Sequence, residues 1–369
     1  MSSNKEIISI ILPTYNERQN VEPIINELLG ITGEYRLEII VVDDDSPDGT
    51  AEKVRELAHI RSGVRLVRRV GRAGLASAIK EGLLDATGDI AVCMDCDGQH
   101  EPATVRDGIQ ALIEEQKQLI IGSRFHKKAS INGLSSQRRK GSNYANQIAR
   151  FSLHKNYAHL TDYMSGFFVM RLDSVTLPAI RGVEVNGFKF LYELLAISRG
   201  RIQADEIPLN FQSRTSGESK LDLAIFWDFL ISAIHTMTLR LVPRRAISFG
   251  IVGATGFLVQ LATTFISMKL ISIPFQAALP TAVILAASSN YLINNALTFR
   301  SNRLENIALA KGLLKFLIVS SLPVIANIGI ARTFYTHISS NIALAQLVGV
   351  IVAFAWNYVA SSKFVWNTP

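Results

Sequence analysis

The chain has 369 residues and a formal net charge of +7, and 48% of its residues are apolar. Its mean hydropathy of +0.23 is high for a soluble enzyme, so two domains, or one domain with a membrane part, are expected. The basic excess suits an anionic membrane surface or a polyanionic ligand, whereas the lack of interleaved basic and aromatic residues argues against a nucleic-acid partner.

The two cysteines, Cys93 and Cys96, exclude a disulfide framework. Their C-x-x-C spacing could form a redox pair or half a zinc site, but no second pair accompanies them, and we expect both to pack in the interior. The first apolar run, residues 7–12, is too short for a signal peptide and ends at Pro13, which predicts a cytoplasmic N-terminal part.

Strand and helix patterns alternate along the first part of the chain, residues 1–220. The predicted strands are residues 7–12, 37–42, 64–67 and 89–94, and the predicted helices are residues 21–29, 50–58 and 75–86. Such alternation is typical of βαβ units, so we predict an α/β domain with a mostly parallel sheet covered on both faces. Ligands of such sheets bind beyond the carboxyl ends of the strands, which places residues 13–17, 43–45 and 95–99 along one rim.

Residues 221–243 read LDLAIFWDFLISAIHTMTLRLVP, with apolar residues at helical spacing that polar residues interrupt. This pattern is typical of helices on a membrane surface, and we predict membrane-interface helices here. A buried amphipathic helix is the alternative.

Four long apolar stretches follow, and the length of each is close to the roughly 20 residues that a helix needs to cross a bilayer. They are residues 246–268, 275–297, 313–334 and 342–362. Basic residues gather before the first stretch, between the second and third, and after the fourth, whereas the other two turns carry only Lys269 and Arg332. By the positive-inside rule, residues 244–369 are predicted to be an all-α domain of four transmembrane helices, with both termini and the first domain cytoplasmic.

The stretch CMDCDGQH at residues 93–100 follows an apolar strand and contains two carboxylates one residue apart. Carboxylate and amide oxygens are the ligands that Mg²⁺ and Mn²⁺ prefer, so Asp95, Asp97 and Gln99 are candidate metal ligands. Alternatively, the stretch is a solvated loop that caps the next helix. No Gly-rich phosphate loop with a Lys-Ser/Thr pair is present, so an ATPase or kinase would lack its phosphate cradle.

Several short segments occur in an order that resembles one enzyme family. They are PTYNE at 13–17, VVDDDSPDGT at 41–50, GLASAIKEG at 74–82, MDCDGQH at 94–100, GSR at 122–124, SGFF at 165–168 and GESKL at 217–221. Together they resemble the dolichyl-phosphate mannose synthases of glycosyltransferase family 2. FGIVGATGFLV and NYLINNALTF, at 249–259 and 290–299, resemble the GtrA-like four-helix membrane domain that some archaeal members carry.

The resemblance implies a Rossmann-like GT-A fold and the transfer of one sugar from a nucleotide diphosphate to a polyprenyl phosphate. The residues that it assigns to the donor are Pro13, Tyr15, Glu17, Val42, Asp44, Asp95, Cys96, Asp97, Gln99, Arg214 and Lys220. Among them Asp95, Asp97 and Gln99 hold Mg²⁺ or Mn²⁺, and Asp97, Arg214 and Lys220 are expected to carry catalysis. Cys96 stands where the family usually has Ala and offers only packing and backbone contacts.

The resemblance also assigns Arg124, Arg138 and Ser142 to the phosphate of the acceptor lipid, with Arg139 as an alternative to Arg138. A guanidinium group is suited to bidentate phosphate binding. Alternatively, these residues belong to a basic loop that lies on anionic lipid. Asp43 and Asp45 are expected only to order their loop.

Two departures from the family pattern concern the sugar pocket and the diphosphate. Asp162 is followed by Tyr163 where the family often has Pro, and Ser216 precedes GESKL where many archaeal members have Arg. The second departure leaves Arg214 as the nearer basic residue.

A phosphate monoester acceptor is already anionic at pH 7, so the reaction needs no general base. The metal, Arg214 and Lys220 are expected to stabilise the departing nucleoside diphosphate, and a single in-line displacement inverts the anomeric centre. His100 is expected to have a structural role and not that of a base.

The segment DDDSPDGT favours GDP-mannose, and a UDP-glucose-dependent synthase of the same family is the alternative. A processive polysaccharide synthase would carry a Q-x-x-R-W signature, which is absent. A lipid flippase or transporter with a regulatory soluble half, and a nucleotidyltransferase, are further alternatives. A homo-oligomer is plausible because GtrA-like domains often associate.

Overall fold

A computed structural model describes residues 7–31, 35–71, 74–129, 136–184, 189–210, 223–338 and 342–367. The chain forms two compact units, Met1–Met237 and Thr238–Pro369. The predicted divisions at residues 220 and 243 remain predictions, but the helix that lies between them belongs to the first unit.

In the described part of the first unit, seven strands form one sheet in the order β3-β2-β1-β4-β6-β5-β7. The strands are β1 (Ile7–Thr14), β2 (Arg36–Asp43), β3 (Val64–Arg68), β4 (Ile90–Cys93), β5 (Leu119–Ser123), β6 (Phe168–Arg171) and β7 (Ala204–Pro208). The helices are α1 (Val21–Gly30), α2 (Thr50–Ile60), α3 (Leu75–Asp85), α4 (Ala103–Glu114), α5 (Ser136–Ser152), α6 (Thr176–Gly182), α7 (Phe190–Ser198) and α8 (Leu223–Met237). The seven elements predicted for the first hundred residues are confirmed to within two residues at each end.

Strand β6 runs antiparallel to its neighbours β4 and β5, and the other strand pairs of the sheet are parallel. The prediction of a mostly parallel α/β sheet is therefore confirmed. Parallel sheets are covered on both faces, and β1 reads IISIILPT with no apolar-polar alternation because both of its faces are buried.

The core accordingly lies in two layers. Ile11, Ile40 and Cys93 contribute to one layer, together with residues of α3 and α7, while Ile10, Val41 and Val92 contribute to the other, with residues of α1 and α4. Each fully buried aliphatic side chain of this kind stabilises the fold by about 1.5–3 kcal/mol.

The strand register sets where the rim loops begin. Thr14 pairs with Asp43, and Ile11 pairs with Cys93. Because β1, β2 and β4 are adjacent and parallel, the loops that follow them leave the sheet side by side, as predicted.

Helix α8 packs against α5 and α7 within the first unit. The Phe229 ring meets the Tyr192 ring edge to face, with centroids 5.3 Å apart. The Tyr192 hydroxyl lies 2.8 Å from Ser152 Oγ and donates to Thr236 Oγ1 at 3.3 Å. One face of α8 is thus buried on protein, and its predicted location at a membrane interface stays a prediction.

The second unit contains helices α9 (Arg244–Lys269), α10 (Phe275–Ile293), α11 (Asn306–His337) and α12 (Ile342–Phe364). A short π-helix, Asn294–Thr298, follows α10. Its Asn295 accepts hydrogen bonds from Leu304 N–H and Trp366 Nε1, and Trp366 stacks on Phe299. This cluster joins the end of α10 to the end of α12.

Within the described residues one helix, Arg244–Lys269, is long and apolar enough to cross a bilayer. Helices α10, α11 and α12 overlap the other three predicted stretches, although α11 begins at Asn306 and ends at His337, beyond both ends of its stretch. The number of crossings stays a prediction.

Candidate active site

The loop after β1 is fastened to the loop after β2 by backbone N–H groups that donate to side-chain oxygens. The donor–acceptor pairs are Asn16 to Ser46 (2.9 Å), Glu17 to Thr50 (3.0 Å) and Arg18 to Asp48 (3.1 Å). Asn16 has a positive φ of 61°, which turns the chain sharply. These bonds hold the backbone of Tyr15 and Glu17, two predicted donor-binding residues, at the rim.

Asp43, the first of the three consecutive aspartates at the end of β2, orders the turn in which it lies. Buried Asp43 accepts hydrogen bonds from the Ser46 N–H (3.0 Å), the Ser46 hydroxyl (2.6 Å) and the Thr14 hydroxyl (3.2 Å). This agrees with the expectation that Asp43 orders the loop. Pro13 and Val42, both assigned to the donor, are paired in the ladder just behind it.

The second and third aspartates hold the segment that leads into α3. Buried Asp44 accepts from Arg69 Nη1 and from the Gly74 N–H, both at 2.8 Å, and Asp45 accepts from the Gly71 N–H at 3.2 Å. Asp44 was predicted to contact the donor, and its carboxylate is therefore oriented by Arg69 before any ligand binds. Sequence reasoning missed Arg69, although its position directly after β3 places it at the same rim.

The acidic loop after β4 is tightly folded. The Gln99 N–H donates to Asp97 Oδ1 at 3.1 Å, and Gly98 has a positive φ of 76°, as such a turn requires. The side chains of Asp97 and Gln99 are buried, while Asp95 is half-buried.

His100 accepts a hydrogen bond from the Asp95 N–H at its Nδ1, at 3.2 Å, and its ring packs edge to face on Phe167. Burial lowers the pKa of His100 below its usual value, although the charges of Asp95 and Asp97 oppose this shift. The imidazole is therefore neutral at pH 7, with its proton on Nε2. The ring supports the loop, which agrees with the structural role expected for it.

The donor set of Asp95, Asp97 and Gln99 fits a hard divalent cation, because it offers oxygens alone. Room for Asp95 is provided by Gly166, where an added Cβ would overlap the carboxylate oxygens. Within the described residues no three His, Cys, Asp or Glu side chains converge as a complete ligand set. A cation at this loop would therefore take further ligands from an amide, water or a bound diphosphate.

Arg124, predicted to bind the lipid phosphate, is paired with Asp162. Its Nε donates to Asp162 Oδ2 at 2.7 Å and its Nη2 to Oδ1 at 2.9 Å, and its backbone N–H adds a third bond at 3.2 Å. Asp162 is fully buried. Burial would raise the pKa of this carboxyl, but the Arg124 guanidinium and its hydrogen bonds hold it below its usual value. Sequence reasoning noted Asp162 only as a departure in the sugar pocket and missed this pairing.

The remaining predicted residues divide into three groups. Arg138 lies in α5, but its side chain is outside the described residues; Arg139 is exposed and Ser142 half-buried in the same helix. Arg214 and Lys220 lie outside the described residues. Cys93 and Cys96 are buried, and burial raises the pKa of both thiols, so they pack as expected.

Two family profiles match the chain. Residues 9–175 match glycosyl transferase family 2, and residues 248–366 match the GtrA/DPMS transmembrane domain. The second match identifies this chain as a membrane protein. Both agree with the resemblance that the sequence segments indicated.

Solved structures of glucosyl-3-phosphoglycerate synthase from Mycobacterium tuberculosis are similar to part of this chain. One, in complex with phosphoglyceric acid, is 19% identical and covers 63% of this chain and 80% of its own, with a TM-score of 0.47. Another, with Mn²⁺, UDP-glucose and phosphoglyceric acid, is 18% identical with the same coverage and TM-score.

Two curated relatives are more similar in sequence. The dolichol-phosphate mannosyltransferase of Saccharomyces cerevisiae is 35% identical over 60% of this chain and 84% of its own. The dolichol-phosphate mannosyltransferase of Pyrococcus furiosus is 34% identical over 98% of this chain and 99% of its own, so the similarity extends over both units. The chain belongs to the dolichol-phosphate mannosyltransferases of glycosyltransferase family 2.

Proposed function

We propose that this glycosyltransferase moves one mannosyl group from GDP-mannose to a polyprenyl phosphate at the membrane, with inversion at the anomeric carbon. The observation that carries the proposal is the convergence of three loops, after β1, β2 and β4, at one edge of the sheet. These loops and the strand ends before them carry the residues assigned to the metal and, apart from Arg214 and Lys220, those assigned to the donor. The names of the two relatives support mannose as the sugar and a dolichol-type acceptor.

Asp95, Asp97 and Gln99 would hold Mg²⁺ or Mn²⁺, and their oxygen-only chemistry supports this assignment. When bound, the cation supplies positive charge that stabilises the departing nucleoside diphosphate. Arg214 and Lys220, which follow β7 in the chain, are proposed to add to that charge. Tyr15, Glu17 and Asp44 are proposed to bind the nucleoside.

The acceptor phosphate is the nucleophile. One of its oxygens forms a bond to the anomeric carbon while the bond from that carbon to the diphosphate breaks, so an α-linked donor gives a β-linked product. No proton has to be removed from the acceptor, since a phosphate monoester is anionic at pH 7. The Nδ1 lone pair of His100 already accepts the Asp95 N–H, which is consistent with a mechanism in which His100 is not a base.

Arg124, Arg138 and Ser142 are proposed to bind the lipid phosphate. Asp162 occupies the Nε and Nη2 edge of Arg124 and orients its guanidinium. A polyprenyl chain cannot leave the bilayer without exposing hydrocarbon to water, which gives the helical unit a reason to be joined to the enzyme. We further propose that it crosses the membrane four times, with both termini and the first unit in the cytoplasm.

The direct test incubates membranes that contain the full chain with polyprenyl phosphate, Mn²⁺ and radiolabelled GDP-mannose or UDP-glucose. Label is expected in the organic phase with GDP-mannose alone, as a single sugar on lipid. Label from UDP-glucose alone would favour the glucose-transferring alternative, and a labelled polymer would favour a processive synthase. No label from either donor would contradict a transferase and favour the transporter alternative.

Two matched variants test the assignment of the metal ligands. Asp97→Asn is expected to lower the rate about 100-fold, because it removes a carboxylate assigned to the cation that stabilises the leaving diphosphate. Asp107→Asn, on the exposed surface of α4, makes the same chemical change away from the rim and should retain full activity. Transfer that survives both a chelator and Asp97→Asn would contradict the assignment.

A further inference from the structure

Glu206 on β7 holds the backbone of a neighbouring segment, although no donor or acceptor role was assigned to it. Its Oε1 accepts hydrogen bonds from the Thr161 N–H at 2.7 Å and from the Asp162 N–H at 2.9 Å. Its Oε2 accepts from the Thr161 hydroxyl at 2.7 Å. A single carboxylate thus fixes two consecutive residues.

The segment that Glu206 holds is the one that holds Arg124. Asp162 binds the Arg124 side chain through two hydrogen bonds and its backbone N–H through a third. The Thr161 hydroxyl lies 2.6 Å from that of Ser123, the residue before Arg124. The contacts therefore run from Glu206 through Thr161 and Asp162 to both the backbone and the guanidinium of Arg124.

The two ends of this chain of contacts lie on adjacent strands of the sheet. Glu206 pairs with Ile121 in the parallel ladder between β5 and β7, so it lies beside the strand that ends at Ser123. The Leu209 N–H donates to Ser123 O at 3.0 Å just beyond the ladder. The two ends of the path are thus held on adjacent strands.

The arrangement brings two carboxylates together. Burial raises the pKa of Glu206 above its usual value, and the charge of Asp162 adds to this rise, although hydrogen bonds from Asp162 and Thr161 oppose it. Three donors that converge on a carboxylate with a nearby like charge indicate a geometric constraint, because electrostatics alone would keep the two acids apart.

We propose that Glu206 is a positioning residue that sets the orientation of Arg124 toward the acceptor phosphate. The inference rests on the proposed function, because Arg124 is assigned to the acceptor there. Small misplacements of a positioned group cost large factors in rate or affinity, so the effect of losing Glu206 should fall on the acceptor and not on the donor.

The test compares Glu206→Ala and Glu206→Gln in the full chain in membranes. Glu206→Ala removes all three acceptor contacts and is expected to raise the KM for polyprenyl phosphate about tenfold, with the KM for GDP-mannose unchanged. Glu206→Gln keeps an oxygen for both backbone N–H groups and should restore the wild-type KM. The control is Glu114→Ala, an exposed carboxylate at the end of α4 that accepts a hydrogen bond from Gln110 at 2.7 Å, and both KM values should stay at their wild-type values.

Should Glu206→Ala fail to fold, Thr161→Val provides a milder change that removes the hydroxyl contacts and keeps both backbone N–H groups. It is expected to raise the acceptor KM about threefold, again with the donor KM unchanged. Equal changes in both KM values, or a lower melting temperature with neither KM changed, would show a merely structural role and overturn the inference.

A binding measurement separates this inference from the proposed function. If the wild-type chain transfers no mannose, the proposed function fails, and the affinity of the purified full chain for polyprenyl phosphate still tests Glu206. Weaker binding in Glu206→Ala that Glu206→Gln restores supports the positioning role. Equal affinity of Glu206→Ala and wild type overturns it, whatever the activity.

Discussion

At the scale of single residues, the rim depends on close approaches and on pairs that the chain brings together over long distances. Asp95 lies against the backbone of Gly166, Asp44 is held by Arg69, and Arg124 is held by Asp162. Each of these partners constrains a side chain that is assigned to the donor or the acceptor. Substitutions at the partners therefore test the site without removing an assigned residue.

Gly166→Ala is expected to lower transfer activity about tenfold or more, equivalent to about 1.4 kcal/mol or more in the barrier. The added methyl group would overlap the Asp95 carboxylate and force that side chain out of its position in the loop assigned to the metal. Steady-state kinetics with GDP-mannose measure the loss. Gly30→Ala, where no atom lies within reach of the new methyl group, is the control and should keep full activity. Unchanged kinetics in Gly166→Ala would contradict a role for Asp95.

Asp162→Asn is expected to cost about 3–5 kcal/mol in the free energy of unfolding, because it leaves a buried guanidinium without its counter-charge. The effect depends on pH. The pKa of Asp162 is lower in the folded state than in the unfolded chain, so its stabilisation is complete above the unfolded pKa and is lost as the pH falls through the folded one.

Unfolding of the purified full chain in detergent, followed from pH 7 downward, checks this prediction. The difference between wild type and Asp162→Asn should shrink as the medium becomes acidic. A difference that stays constant over the acidic range would show that the loss comes from shape and not from charge.

At the scale of elements, sequence pattern and structure agree best where the signal is local. The alternating strands and helices from β1 to β4 were predicted because apolar runs and helical spacing are properties of neighbouring residues. The insertion of β6 between β4 and β5 was not predicted, because strand order depends on partners far apart in the chain. The helix within 221–243 was predicted, with a buried amphipathic helix as the alternative to a membrane-interface one, but its packing partners α5 and α7 were not predicted.

Phe229→Ala tests this packing. Phe229 is 4% exposed and contacts Tyr192, so we expect a loss of about 3–5 kcal/mol of local stability and faster amide hydrogen exchange in α8. Phe226→Ala removes the same ring from an exposed position of α8, 48% accessible, and should leave the exchange rates unchanged. Equal exchange in both variants would contradict the packing of α8 on the first unit.

At the scale of the whole molecule, an α/β enzyme unit is joined to a helical membrane unit. The uneven distribution of basic residues predicts which loops face the cytoplasm. Arg300 and Arg303 lie between α10 and α11, whereas Lys269 is the basic residue at the end of α9. The two native cysteines are buried with raised thiol pKa values, so they should give little background in labelling experiments.

Ser301→Cys is expected to react with a membrane-impermeant maleimide only from the cytoplasmic side, and Leu270→Cys only from the opposite side. Both positions are exposed in the second unit. Labelling of inverted and right-side-out vesicles measures the two accessibilities. Both sites reacting from the same side would contradict the proposed topology, whereas transfer activity in each variant verifies that the protein is intact.

Local pattern and residue type were sufficient to predict the α/β sheet, the rim along which the loops gather, the four apolar stretches and the oxygen-rich loop at Asp95 to Gln99. These follow from periodicity and from the chemistry of short segments, which neighbouring residues carry by themselves. The partners of the assigned side chains emerged only from the folded chain: Arg69 for Asp44, Asp162 for Arg124, and Glu206 for the segment that holds them. Their pairing joins residues between 25 and 45 positions apart, and no local pattern records which strands become neighbours.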